Sequence, residues 1–334
     1  MDERKEPVIK AIGLKRHYKQ RSDKLFSFGK TQKRIQAVDG VDFEVYEGEI
    51  FGVIGESGCG KSTLGRLLIG LEAPSEGDVT FKGQSSQALL KRDPKTFHRM
   101  VQAVFQNPFD TFTPNDTIGE IMVRPLRLHG VGKNDGERWA ICQKALEDGG
   151  LRPAADFMGR YPHELSGGQL QRISILRAML LEPLFLVADE PVSMLDVSVR
   201  AEIIHMLQDL CRTRRTAILL ISHDIAVVRY VSQRVAVMYL GRIVEMGDTD
   251  TVIQNPMHPY TQALISNCSS IDPDENMQTI EIQGEPPSPV NPGPGCYFAG
   301  RCFKACEKCF KSYPPLRSTA DGRVVSCHFA GVDE

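Results

Sequence analysis

Eight consecutive residues, Gly55-Glu56-Ser57-Gly58-Cys59-Gly60-Lys61-Ser62, follow the pattern G-x-x-x-x-G-K-[ST]. Its glycines let the backbone curl until successive N–H groups point at one anion. In that pattern Lys61 reaches the β- and γ-phosphates of a nucleotide and the Ser62 hydroxyl binds Mg2+. The flanks suit the chemistry. Residues 49–54 are mostly apolar and read as a buried strand, and residues 63–69 read as a helix closed by Gly70. The start of that helix adds partial positive charge where the phosphates would sit. A plain glycine turn leaves both flanks unexplained.

Further acids and amides fall at the ends of other apolar runs. Asp189 and Glu190 close the run 184–190. Asp189 can hold Mg2+ through its water shell, and Glu190 can polarise an attacking water as general base; the plainer alternative is two acids capping a strand. His223 follows the buried run 217–221 and could hydrogen-bond a γ-phosphate, although a lone histidine is more often structural. Gln106, just past an apolar run at 100–105, could touch Mg2+ or the attacking water and means nothing alone. Tyr18 is either a platform for a nucleotide base or an aromatic packed at a strand end.

The elements that position these groups can be read in outline. Residues 8–14 read as an edge strand, 19–33 as a polar, basic loop containing Leu25, Phe26 and Phe28, and 37–46 and 77–83 as strands. Residues 117–151 turn helical and more polar, which marks an inserted helical subdomain. Leu165-Ser166-Gly167-Gly168-Gln169 opens an amphipathic helix through Leu180, and 199–211 reads as a helix. Strands alternating with helices give an α/β core with a largely parallel sheet. Past Gly247 the composition shifts: a short helix at 258–266, a stiff linker (Pro286-Pro287-Ser288-Pro289, then Pro292-Gly293-Pro294) and a cysteine-rich tail.

Composition narrows the class. The 334 residues carry 41% hydrophobic and 25% charged side chains and a net charge of −2, so no basic balance points to nucleic acid. No apolar run reaches membrane-spanning length, and Met1-Asp2-Glu3-Arg4-Lys5 lacks the apolar core of an export signal. Nine cysteines in such a chain favour reduced thiols or a metal over disulfides.

Taken in order, the phosphate loop, Gln106, Leu165 to Gln169, Asp189-Glu190, Ser193 to Asp196 and His223 resemble the ATP-binding subunits of ABC transporters, over residues 8–246. The resemblance implies a phosphate-loop ABC ATPase core over 1–255, a helical subdomain at about 107–180, and a small cysteine-rich C-terminal extension over 256–334. It implies that two such domains pair head to tail around two ATP molecules. Each ATP would touch Gly55, Ser57, Gly58, Cys59, Gly60, Lys61, Ser62 and Thr63 of one copy and Ser166, Gly168 and Gln169 of the other. Mg2+ would be held by Ser62, Asp189 and Gln106. Catalysis would fall to Glu190, His223 and Gln106, with Tyr18 on adenine and Asp196 at the dimer interface.

His258-Pro259-Tyr260 and the tail resemble subunits of oligopeptide and dipeptide importers, where cysteines follow C-x5-C-x6-C with a later fourth. Cys296, Cys302, Cys309 and Cys327 match; thiolates suit zinc and iron–sulfur centres alike, and the relatives imply a [4Fe-4S] cluster. Cys306 departs from the pattern and forms a C-x2-C pair with Cys309. Cys59, Cys142, Cys211 and Cys268 are scattered, as packing residues would be. The implied partners are a sister ATPase subunit, two transmembrane permease subunits and an extracytoplasmic solute-binding protein, with this chain peripheral on the cytoplasmic face. Residues 106–113 would pass motion to the permeases, for import of di- or oligopeptides. Oligosaccharide or nickel import, or a soluble ATPase without a transport role, are the alternatives. The single set of motifs and the short interval between loop and L-S-G-G-Q speak against the last.

Overall fold

The structure, a computed structural model, describes residues 6–19, 34–267, 279–282 and 284–330. The expected positions of Leu25, Phe26, Phe28, Cys268 and the N-terminal five residues lie outside them. Twelve strands are found among the described residues: β1 Ile9–Lys19, β2 Arg34–Val45, β3 Ile50–Ile54, β4 Glu76–Phe81, β5 Gln84–Ser85, β6 Val101–Val104, β7 Phe185–Asp189, β8 Ala217–Ile221, β9 Arg234–Tyr239, β10 Arg242–Asp248, β11 Arg317–Ser318 and β12 Val324–Val325. The chain divides into two compact units, Met1–Ile9, Val45–Ile50 and Phe81–Ile221 in one, and Lys10–Glu44, Phe51–Thr80 and Ser222–Glu334 in the other.

In the first unit β6, β7 and β8 run parallel, with Val101 opposite Phe185 and Phe185 opposite Ala217. Every residue of β7 and β8 is buried, and apart from the closing Asp189 of β7 these strands are continuous apolar runs rather than alternating ones. The region expected to be helical breaks into two helices. Ile118–His129 begins at a capping box, in which Thr117 and Glu120 satisfy each other's backbone N–H, and stops at Gly130 with φ +70°. Asp135–Asp148 starts afresh with Asn134 as its cap. Ile118, Met122, Leu126, Cys142, Leu146 and Leu170 close a core between these helices and the helix Gly167–Met179.

In the second unit β1 lies between β2 and β4, which corrects the expected edge position. Only Ile9, Ala11 and Leu14 of this strand are fully buried, and so loose an alternation does not distinguish an inner strand from an outer one. The other strands run β11-β12-β10-β9-β3, with β3 parallel to β9 and the remaining pairs antiparallel. The expected largely parallel sheet is therefore mixed. The reversal is made by Leu240-Gly241, a two-residue hairpin loop with φ of +43° and +82°. The proline-rich linker returns to β2, where Val290 bridges Ile35 and the Gln36 N–H donates to the Pro289 carbonyl at 2.9 Å.

Leu146 is fully buried in the helical core. Leu146→Ala should cost about 2–5 kcal/mol of stability. The measurement is a chemical-denaturation midpoint, and an unchanged midpoint would contradict this core.

Candidate functional site

The phosphate loop lies between β3 and the helix Lys61–Leu68, in the second unit. Gly55, Gly58 and Gly60 have φ of +150°, +78° and +106°. A methyl group on Gly55 would stand 2.2 Å from the Met238 carbonyl oxygen, and one on Gly60 would stand 2.0 Å from that of Ala37. No other residue type fits either place. The Lys61 ammonium is buried and donates to the Gly55 carbonyl at 2.7 Å and the Glu56 carbonyl at 3.0 Å. Cys59 is buried beneath the loop, and burial pushes its thiol pKa up against the pull of Lys61. Ser57, Gly58 and Ser62 are exposed and Thr63 half-buried.

Two more of the expected residues share this unit. His223 is exposed just beyond β8, ahead of the helix Ile225–Val231 that Asp224 caps. Tyr18 sits near the end of β1, its hydroxyl donating to Glu72 at 2.5 Å and its ring covered on one side by the Arg16 guanidinium at 4.7 Å.

The first unit holds the rest. Ser166 caps the helix Gly167–Met179: its hydroxyl accepts from the Gln169 N–H at 3.3 Å, and its own N–H donates to the Gln169 amide oxygen at 3.0 Å. This box is exposed, and the N–H groups of Gly167 and Gly168 open the helix beside it. A Cβ on Gly168 would meet Val199 at 2.6 Å, whereas Gly167 faces open space. Gln106 is exposed two residues past β6. Behind it, Gln171 donates to the Phe105 carbonyl at 3.3 Å and Arg177 to the Thr111 carbonyl at 3.3 Å, which tie this segment to the same helix. Asp189 ends β7 at 8% exposure. Glu190 follows with φ +51°, a left-handed backbone that a non-glycine residue adopts at a cost of order 1–3 kcal/mol. Its N–H is held by the Ile221 carbonyl at 2.9 Å.

The geometry adds residues that sequence reasoning did not single out. Glu56, a variable position of the loop pattern, carries three anchors. Its N–H donates to the Tyr260 hydroxyl at 2.8 Å, its carbonyl accepts from Lys61, and its carboxylate receives a forked pair of bonds from Arg301 at 2.8 and 3.0 Å. Tyr260 belongs to the His258-Pro259-Tyr260 motif, but nothing local in the sequence marks Arg301. His258 is buried and caps the helix Pro259–Ser266, its Nδ1 accepting from the Tyr260 N–H at 3.0 Å.

Cys296, Cys302, Cys309 and Cys327 line one small pocket with His258 and Phe298. Burial raises all four thiol pKa values, that of Cys296 to about 11, so they are protonated at neutral pH unless a cation displaces the protons. Cys306 is exposed and does not line the pocket, although its sulfur lies 3.7 Å from that of Cys309. Among the described residues no group of three or more His, Cys, Asp or Glu side chains is arranged to hold a metal ion. Cys59, Cys142 and Cys211 are buried, as packing residues are. Among the described residues no helix is long and apolar enough to cross a membrane.

In fold the chain is similar to solved ATP-binding cassettes. The dimeric cassette MJ0796, solved in a post-hydrolysis state bound to ADP and Pi, superposes with a TM-score of 0.63 at 26% identity, covering 72% of this chain and 98% of its own. Residues 38–193 match the ABC transporter family, and residues 244–309 match the oligopeptide/dipeptide transporter C-terminal region. The dipeptide transport ATP-binding protein DppF of Haemophilus influenzae is 43% identical over 96% of both chains. The di/tripeptide transport ATP-binding protein DppF of Pseudomonas aeruginosa is 45% identical over 97% of this chain and 98% of its own. The chain belongs to the ATP-binding proteins of ABC transporters, in their oligopeptide/dipeptide branch.

Burial pulls the His258 pKa down to about 3 from an ordinary 6.5. The unfolded chain therefore takes up this proton first, so the stability tied to neutral His258 is complete above pH 6.5 and is lost as pH falls toward 3. His258→Asn retains a capping oxygen without the titration. The gap in melting temperature between wild type and this variant should narrow from pH 7 to pH 4. A constant gap would contradict a buried neutral imidazole.

Proposed function

We propose that this chain is the ATP-hydrolysing subunit of an importer of di- or oligopeptides. It would comprise a cassette over 1–255, a helical subdomain at about 107–180 and a C-terminal extension over 256–334. What carries the reading is one chain that pairs a glycine cradle shaped by backbone contacts with near full-length similarity to relatives named for dipeptide and di/tripeptide transport.

The residues divide the work as follows. The cradle around Gly55, Ser57, Gly58, Cys59, Gly60 and Thr63 offers N–H groups to the β- and γ-phosphates, and Lys61 leaves its loop carbonyls to neutralise them. Such a cradle fits a triphosphate, because positive φ angles at Gly55, Gly58 and Gly60 curl the backbone and the carbonyls pressed on Gly55 and Gly60 leave no room for a side chain there. Ser62, Asp189 and Gln106 are oxygen donors of the kind Mg2+ prefers, and the ion would neutralise charge between phosphates. Glu190 orients and deprotonates the attacking water, and the strain in its backbone supports a functional role. His223 donates to the γ-phosphate, and Tyr18 stacks on the adenine.

A second ATPase subunit completes each pocket. Ser166, Gly168 and Gln169 of one subunit would close over the ATP held by the other, stabilising charge on the transferred phosphoryl group. The exposed capping box and the dimeric state of MJ0796 support this arrangement. Residues 106–113, where Phe109 is half exposed, would carry the closing motion to two membrane-spanning permeases that receive solute from an extracytoplasmic binding protein. The subunit would then sit on the cytoplasmic face of the membrane.

Cys296, Cys302, Cys309 and Cys327 would hold a [4Fe-4S] cluster, a centre able to exchange single electrons. Their all-thiol chemistry and shared pocket support it; the side chains are not drawn around a metal position as they stand, so binding a cluster would have to close them on it.

Glu190→Gln should bind ATP as wild type does and lose hydrolysis by at least two orders of magnitude, measured by phosphate release beside nucleotide titration. Unchanged turnover would remove Glu190 as the base. Anaerobically purified protein should contain iron and acid-labile sulfide, and zinc alone in the metal analysis would overturn the cluster.

A further inference from the structure

The Arg301 guanidinium lies in the turn between Cys296 and Cys302, yet it binds a residue of the phosphate loop 245 positions earlier. Its side chain is 9% exposed and that of Glu56 24%, so the pair is shielded from solvent. A third bond from Arg301 reaches the Tyr239 hydroxyl at 3.3 Å. From the same side the Tyr260 hydroxyl accepts the Glu56 N–H. Burial raises the Tyr260 pKa and keeps the phenol neutral, while Phe298 packs edge-on against both Tyr239 and Tyr260. Glu56 is therefore gripped at N–H and carboxylate by residues outside the cassette motifs, and at its carbonyl by the loop's own Lys61.

We propose that Arg301 and Tyr260 are positioning residues for the phosphate loop, so that the C-terminal extension sets nucleotide affinity through Glu56. Resting on the ATPase reading above, this adds to that site residues which no motif of the cassette contains. The physical logic is one of preorganisation. The first turn of the loop must hold several N–H groups on one anion, and its residue Glu56 contributes no N–H to that anion because Tyr260 has taken it. Glu56 serves instead as the post from which the remaining N–H groups are aimed. A forked guanidinium–carboxylate pair fixes orientation as well as distance, which a single bond cannot do. The extension is fastened firmly enough to act as an anchor. Strand β12 pairs with β10, and Arg323, 3% exposed, binds Glu245 and the Asn255 carbonyl.

The test compares Arg301→Gln, Arg301→Lys, Glu56→Gln and the Arg301→Gln/Glu56→Gln double variant in the full chain. Titration with a fluorescent ATP analogue gives affinity, and melting temperature is read alongside. The affinity of each glutamine variant should fall roughly tenfold. The double variant should be no worse than either single, because both break the same bond pair. Arg301→Lys should fall between, keeping the charge and losing the fork. In steady state KM for ATP should rise more than kcat falls. Glu56→Gln changes no residue of the extension and keeps the side chain's length, so it carries the test if Arg301→Gln fails to fold. Lowered melting temperatures with wild-type affinity in both single variants would overturn the proposal, as would additive losses in the double. A wild-type chain that bound no ATP would instead overturn the ATPase reading beneath it.

Discussion

Two backbone carbonyls set the shape of this molecule's chemistry. The oxygens of Ala37 and Met238 press so closely on Gly60 and Gly55 that no side chain can stand at either position. The loop is held by main chain on main chain. Its Cys59 carbonyl accepts from the Gly241 N–H at 2.8 Å, and the Gly241 carbonyl accepts from the Asp39 N–H at 2.8 Å. Gly241 is itself confined by the Gln36 carbonyl, 2.7 Å from where its Cβ would be. The curvature of the loop is thus imposed by β2 and by the β9–β10 hairpin, and these take their places because their own apolar residues are buried. Asp39 ties the same corner through its side chain. Burial works to raise its pKa, but Arg242, Tyr297 and His17 outweigh it and hold the carboxyl below the usual range.

What could be read in advance follows from how local each signal is. β3, β7 and β8 are short apolar runs flanked by turn and cap residues, and the two ends of β8 fall where the pattern places them. The serine and glutamine of L-S-G-G-Q are three apart, the spacing of a capping box, and the helix begins there. Other features had no local mark. The helices Ser86–Arg92 and Pro94–Met100 are seven residues each with one fully buried side chain apiece, too short and too exposed for a periodic pattern. The hairpin at Leu240-Gly241 lacks the asparagine or aspartate that usually announces such a turn.

The candidate site divides along the same line. Residue type and spacing pointed to Lys61, Asp189 and Glu190, and the family resemblance to Ser166, but neither pointed to the left-handed backbone of Glu190, which depends on tertiary packing. Of the five cysteines from Cys296 to Cys327, spacing left Cys306 and Cys309 as an alternative pair, and only folding separates the exposed Cys306 from the four that share a pocket. The Arg301–Glu56 bond joins residues 245 apart, a distance over which no one-dimensional pattern can speak.

The bridge between Val290 and Ile35 has a consequence of its own. β2 lies at the border of its sheet, where unpaired N–H and C=O groups invite strands from other molecules. Here the Gln36 N–H and the Arg34 carbonyl are already occupied, by the Pro289 carbonyl and the Asn291 N–H. Proline on both sides of that contact denies an incoming chain the donors it would need to extend the sheet further. At this end of β2 the linker therefore stands where a foreign strand would dock, and trimming the chain to the length of a minimal cassette would uncover the Arg34 carbonyl and the Gln36 N–H.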